Sequence, residues 1–196
     1  MQKGRLEAFS DGVLAIVITI MVLEIKVPHG HELADLKPLI PVVLSYILSF
    51  IYLGIYWNNH HHMMHTVKRV SGSILWANLH LLFWLSLIPF VTGWMGENNF
   101  APMTMALYGG ILLMAAIAYF ILQNLIIQEH GKDGILAKAV GSDFKGKLSP
   151  ILYILGIASC WINSWISALF YILVALMWLI PDKRIERTLE EEEFRQ

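Results

Sequence analysis

The sequence predicts an all-α polytopic membrane protein, and three observations carry that reading. Of 196 residues, 57% are apolar and 15% charged, with a mean hydropathy of +0.59. Soluble domains run at roughly 45–50% apolar and about 25% charged. The apolar residues also fall into long stretches, several of them near the ~20 residues a helix needs to cross a bilayer core of about 30 Å. Finally, the basic residues gather between alternate stretches, as in loops held on the cytoplasmic side.

The candidate spans are Leu6–Val27, Leu39–His65, Ser73–Met95, Met103–Gln128, Leu148–Ile162 and Trp165–Ile180. The first break, "VPHGHELADLKP", holds two prolines, a glycine and charges; "GENNFAP" is a short turn; "EHGKDGILAKAVGSDFKGK" is a long polar loop. As one helix, Leu148–Ile180 would measure about 50 Å, too long for one crossing. The polar step Asn163-Ser164 predicts a tight hairpin there instead. With six transmembrane helices and both termini cytoplasmic, 12 of the 14 basic residues lie inside, leaving Lys26 and Lys37 outside. Residues 1–181 therefore read as one six-span unit and 182–196 as a charged cytoplasmic tail.

Composition excludes several functions. A net charge of −1 provides no electrostatic footprint for nucleic acid. The single cysteine, Cys160, makes neither an internal disulfide nor a cysteine-based metal site. The apolar stretches leave no room for a separate soluble catalytic domain, and the first of them lacks the features of a cleavable signal peptide. No paired acids, serine-nucleophile motif or zinc motif points to an enzyme.

Acids inside a membrane helix are costly and mark a protein interior or water. Across the proposed spans the acids are Glu7, Asp11 and Glu24, all on the first helix, with Asp11 the deepest. At 100° per residue, Arg5, Phe9, Gly12, Ile16, Thr19, Ile20 and Leu23 share a sector of about 100°. Asp11 points roughly 120° from Arg5, so it should meet another helix. Counting from the basic residues that mark the inner face, His60 and Asn78 lie at a similar depth. A polar clamp of Asp11, Trp57, His60 and Asn78 is expected, with Asn124 or His80 as further candidates. Glu24 reads as a solvated or lysine-paired interfacial acid, and Gly109-Gly110 as a site of close helix packing.

Arg5, Phe9, Ser10 and Asp11 form an RxxxFSD motif at the start of the first of six spans. In this the sequence resembles the endolysosomal transmembrane potassium channel family and its prokaryotic homologues. The likeness continues through Thr19 to "LEIKVP", and "YWNNH", with Trp57 and His60, resembles the family's tryptophan–histidine region. The resemblance implies a potassium-preferring cation channel whose first helix lines a central pore, assembled as a homotetramer from single six-span units. It places the constriction at Ile16, with succeeding layers at Ile20 and Leu23 and the Thr19 hydroxyl beside it. No TVGYG loop occurs, so apolar rings replace the carbonyl filter of other potassium channels. A ring of Arg5 side chains would repel cations, so each guanidinium is expected to turn sideways into a polar contact.

The partners expected are therefore potassium ions, the lipid bilayer and further copies of the chain, in a prokaryotic plasma membrane, without cofactor or metal. His61 and His65 in "HHHMMH" are spaced to share a metal, but no cysteine or acid joins them within that helix. Interaction with headgroups or the helix end is the expected role. The alternative function is a small secondary transporter that moves protons or ions through Asp11 and the membrane histidines.

Overall fold

A computed structural model describes residues 2–131, 134–141 and 143–179. The tail, and with it Lys183, Arg184, Arg187 and Arg195, lies outside the described residues, as do Ile180 and Lys132. Among the described residues all regular structure is helical. Four segments are long and apolar enough to cross a membrane: Lys3–Glu24, Leu33–His65, Gly72–Glu97 and Pro102–His130.

The first segment is α1 (Lys3–Ile20), tightened into a 3₁₀ turn at Met21–Glu24. The second opens with a 3₁₀ stretch, Leu33–Leu39, whose start is closed by reciprocal bonds between Glu32 and Asp35. It continues as α2 (Ile40–His65), with Pro41 in the first turn, where its missing N–H costs nothing. The third segment is broken. α3 (Gly72–Ser86), capped by the Ser71 hydroxyl, stops at Leu87, and α4 (Ile88–Glu97) resumes beyond it. The physical reason is Pro89, which cannot donate to the Leu85 carbonyl and whose ring crowds it. The candidate span Ser73–Met95 thus lies within a segment of two consecutive helices, Gly72–Glu97.

α5 (Pro102–His130) is the longest helix. The polar loop expected after it contains a short helix, α6 (Ile135–Val140), which buries Leu136 and Ala139. α7 (Phe144–Ser159) starts four residues before the expected Leu148, because Asp143 caps it through a bond from the Gly146 N–H. The final apolar stretch turns after α7. Asn163 N–H donates to the Ser159 carbonyl at 2.9 Å and its side-chain oxygen accepts from Trp165 N–H at 2.8 Å, starting α8 (Ser164–Leu179).

α5 sits in the middle, packed on α3, α4, α7 and α8, while α2 packs on α4 and α8. Lipid tails are as apolar as leucine, so van der Waals fit and internal hydrogen bonds hold such a bundle. Small residues supply the fit: a β-carbon on Gly109 or Gly156 would run into the Tyr171 side chain. Gly110, also expected at a close contact, has open space around it. Buried hydroxyls bond to one another or to spare carbonyls. Ser49 Oγ lies 2.7 Å from Thr92 Oγ1 and 3.0 Å from the Tyr108 hydroxyl. The Tyr171 hydroxyl donates to the Met105 carbonyl at 3.1 Å.

α1 packs against α2, α3 and α4 and lies at the edge of the bundle. That edge position decides what its two faces do.

Candidate functional site

α1 divides by helical period. Leu6, Ser10, Leu14, Val17 and Met21 are buried against the neighbouring helices. The sector carrying Arg5, Phe9, Gly12, Ile16, Thr19, Ile20 and Leu23 is exposed on this chain. Ile16 is 58% exposed, Ile20 43% and Leu23 76%. One flank of this stripe borders an open groove of about 600 Å³, lined by Ile16 and Ile20 from α1 and by Phe90, Gly93 and Trp94 from α4. Thr19 turns its hydroxyl back onto its own helix, 2.9 Å from the Ala15 carbonyl and 3.0 Å from that of Ile16. Such back-bonding satisfies the hydroxyl in an apolar setting. The Arg5 guanidinium is exposed on the stripe, and the sideways polar contact expected of it is not seen among the described residues.

The other side of α1 is held by polar tethers. His60 Nε2 lies 2.7 Å from Asn78 Oδ1, Asn78 Nδ2 donates to Ser10 Oγ at 2.9 Å, and Ser10 Oγ donates to the Leu6 carbonyl at 2.9 Å. The chemistry assigns each proton. The Leu6 carbonyl can only accept, so the Ser10 hydroxyl hydrogen goes there and its lone pair faces the Asn78 amide. Asn78 Oδ1 can only accept, so His60 Nε2 carries a hydrogen. All three side chains are buried, and the chain links α2 through α3 to α1.

Asp11 is tied separately. Its Oδ1 accepts from Trp57 Nε1 at 3.0 Å, and Trp57 is half-exposed. The single clamp expected of Asp11, Trp57, His60 and Asn78 is therefore two tethers, because successive residues on α1 point about 100° apart. Neither further candidate belongs to them. Asn124 donates to the Phe120 carbonyl on its own helix, and His80 accepts from Trp84 Nε1 on its own helix.

Both ends of the first segment carry contacts that sequence reasoning missed. Lys3 Nζ donates to the His65 carbonyl at 2.9 Å and lies 3.7 Å from Glu7 Oε1. Beyond the other end, Lys26 Nζ lies 2.6 Å from Glu97 Oε1. That hydrogen bond and the Glu97 charge hold the Lys26 ammonium above the ordinary lysine range, while Glu24 adds only a smaller effect. Glu24 instead lies over Gly93 on α4. His61 and His65 meet each other, Nε2 to Nε2, at 3.1 Å, with the His61 ring stacked on Trp57. Among the described residues no three His, Cys, Asp or Glu side chains converge as metal ligands would.

Comparison with known proteins places this geometry. The profile of the family described as endosomal/lysosomal potassium channel TMEM175 matches residues 5–89, which span α1, α2 and α3. A potassium channel of Chryseobacterium sp. (strain P1-3) is 61% identical over 191 residues, covering 97% of this chain and 100% of that one. The crystal structure of a lysosomal potassium-selective channel TMEM175 homolog from Chamaesiphon minutus superposes with a TM-score of 0.79 at 30% identity. It covers 92% of this chain and 97% of that one. The endosomal/lysosomal proton channel TMEM175 of Gallus gallus is 34% identical over 101 residues, which are 45% of this chain but 20% of the longer animal protein.

Apolar helices of spanning length and this likeness over nearly the whole chain define an integral membrane protein of the ion-channel class. The chain belongs to the TMEM175 family, among its prokaryotic members. The RxxxFSD motif thus sits on the helix that the structure places at the bundle edge, with Ser10 and Asp11 as its anchors.

Proposed function

We propose that this protein is a potassium-preferring cation channel of the plasma membrane, a homotetramer in which four α1 helices surround the pore. One observation carries this reading. α1, tied to α2 and α3 by two polar tethers on its inner side, turns its apolar stripe of Ile16, Ile20 and Leu23 away from its own chain. A fourfold axis beside α1 would bring four copies of that stripe together. Six spans with both termini cytoplasmic, α7 and α8 being the last two, agree with the basic residues at the inner ends of the helices.

Three rings of four side chains, two of isoleucine and one of leucine, cannot replace an ion's hydration shell. Such a constriction dewets when narrow and passes ions that keep part of their water when wider. Potassium holds its water less tightly than sodium and is favoured, with modest selectivity. Thr19 contributes a hydroxyl oxygen beside the narrow zone, and the two tethers fix the rotation of α1 that aims Ile16 inward.

Purified protein in planar bilayers tests the reading. Unitary potassium currents that persist without a coupled gradient are expected. Ile16→Asn should wet the constriction and raise sodium permeation; unchanged conductance and selectivity would overturn the role of Ile16. Saturating proton-coupled flux without unitary currents would favour the secondary transporter that uses Asp11 and the membrane histidines.

A further inference from the structure

The α2–α3 loop and the end of α5 meet at one imidazole. His130, the last residue of α5, has its Nε2 2.9 Å from the backbone nitrogen of Lys68 and 3.2 Å from that of Arg69. Its Nδ1 lies 2.9 Å from the Ile126 carbonyl oxygen, one turn back along α5. These partners admit one protonation state. A backbone N–H only donates, so Nε2 presents its lone pair; a carbonyl only accepts, so Nδ1 carries the hydrogen. A second proton would aim an N–H at two N–H donors. It would also set a positive charge against the loop that carries Lys68 and Arg69. His80 also accepts through Nε2, but from Trp84 on its own helix, so it joins no two elements.

We propose that His130 is a pH-sensitive latch, holding the α2–α3 loop on the end of α5 while its ring is neutral and releasing the loop when the ring is protonated. The charged and titratable groups on the elements meeting here are His61, His62 and His65 on the last turns of α2, Lys68 and Arg69 in the loop, Glu129 on α5 and Lys138 on α6. The first two turns of α3 bring none, and Lys132 and Asp133 lie outside the described residues. Of these groups, histidines are the ones whose ordinary titration falls between about pH 5 and pH 8. Among the described residues, the ring that accepts from the Lys68 and Arg69 N–H groups is that of His130.

The loop joins the helix of His60 to the helix of Asn78, the two residues that lead to Ser10. Its release therefore loosens the frame on which α1 rests. The latch itself does not depend on the proposed ion selectivity, so its test reads the loop directly.

Hydrogen exchange of the Lys68 and Arg69 amides, in the full-length protein in lipid nanodiscs and corrected for intrinsic pH dependence, is compared at about pH 8 and about pH 5.5. In the wild type both amides should be protected at the higher pH and exchange roughly tenfold faster or more at the lower. His130→Gln supplies an oxygen that accepts and an amide that donates at every pH, so protection should persist in acid. His130→Ala should leave the amides fast at both. Equal protection of the wild type at both pH values would overturn the latch. So would a loss of protection in acid by His130→Gln matching that of the wild type, because another histidine would then be the sensor.

Discussion

Asn78 on α3 donates to Ser10 on α1 at 2.9 Å, and neither residue is exposed at all. The same carboxamide accepts from His60 on α2, so one side chain holds three helices in register. The second tether, Asp11 to Trp57, is half-exposed and joins only two. That difference ranks the two.

Asn78→Leu keeps the volume but leaves the buried His60 N–H without an acceptor. A stranded buried donor costs about 1–3 kcal/mol. Trp57→Phe removes the bond to Asp11, which keeps access to surroundings beyond the bundle. Hydrogen bonds in membrane proteins average roughly 0.6 kcal/mol. Asn78→Leu should therefore lower the thermal unfolding midpoint in detergent clearly more than Trp57→Phe. The reverse order would mean that Asp11 is the principal anchor of α1.

Lys26 and Glu97 join the chain after α1 to the end of α4 through one exposed ion pair. Salt near 1 M shortens the screening length to about 3 Å. Lys26→Gln should lower the unfolding midpoint at low ionic strength and lose most of its effect at high salt. Because Glu97 raises the Lys26 ammonium, the pair's contribution is complete below the ordinary lysine range and fades only as pH rises through the raised value. The effect of the substitution should thus be the same at neutral and mildly alkaline pH. An effect already lost on mild alkalinisation would contradict the pairing.

The faces of α1 were legible because a 3.6-residue period sorts positions without knowledge of any partner. Ile16, Ile20 and Leu23 therefore fell on one stripe, and Asp11 off it. Which partner Asp11 and Ser10 each find was not legible, since it depends on the mutual rotation of α1, α2 and α3. Depth along the membrane put Trp57, His60 and Asn78 in one layer, but depth does not distinguish two tethers 100° apart. The break at Leu87 did have a signal, Pro89, hidden within an otherwise continuous apolar run. The short α6 had one too, in the apolar residues of "ILAKAV" between two polar stretches. His130 had none: its partners are backbone N–H groups, which no residue letter records.

Gly109 and Gly110 are adjacent on α5, yet only one faces a neighbour. A β-carbon on Gly109 meets the Tyr171 hydroxyl and ring, with Ile157 close behind, whereas one on Gly110 meets nothing within 4 Å. Overpacking of a tight core costs roughly 1–3 kcal/mol, so Gly109→Ala should destabilise by that amount. Gly110→Ala should be neutral or stabilise by up to about 1 kcal/mol, the gain in helix propensity. The nearest atom to the added methyl is the Tyr171 hydroxyl oxygen, which also donates to the Met105 carbonyl. Tyr171→Phe alone should therefore destabilise by losing that bond, while in the Gly109→Ala background it should relieve part of the clash. A double-mutant cycle on unfolding midpoints reads this as a favourable coupling. Strict additivity would mean that α5 shifts away from α8 instead, and that the close approach at Gly109 is not what fixes their spacing.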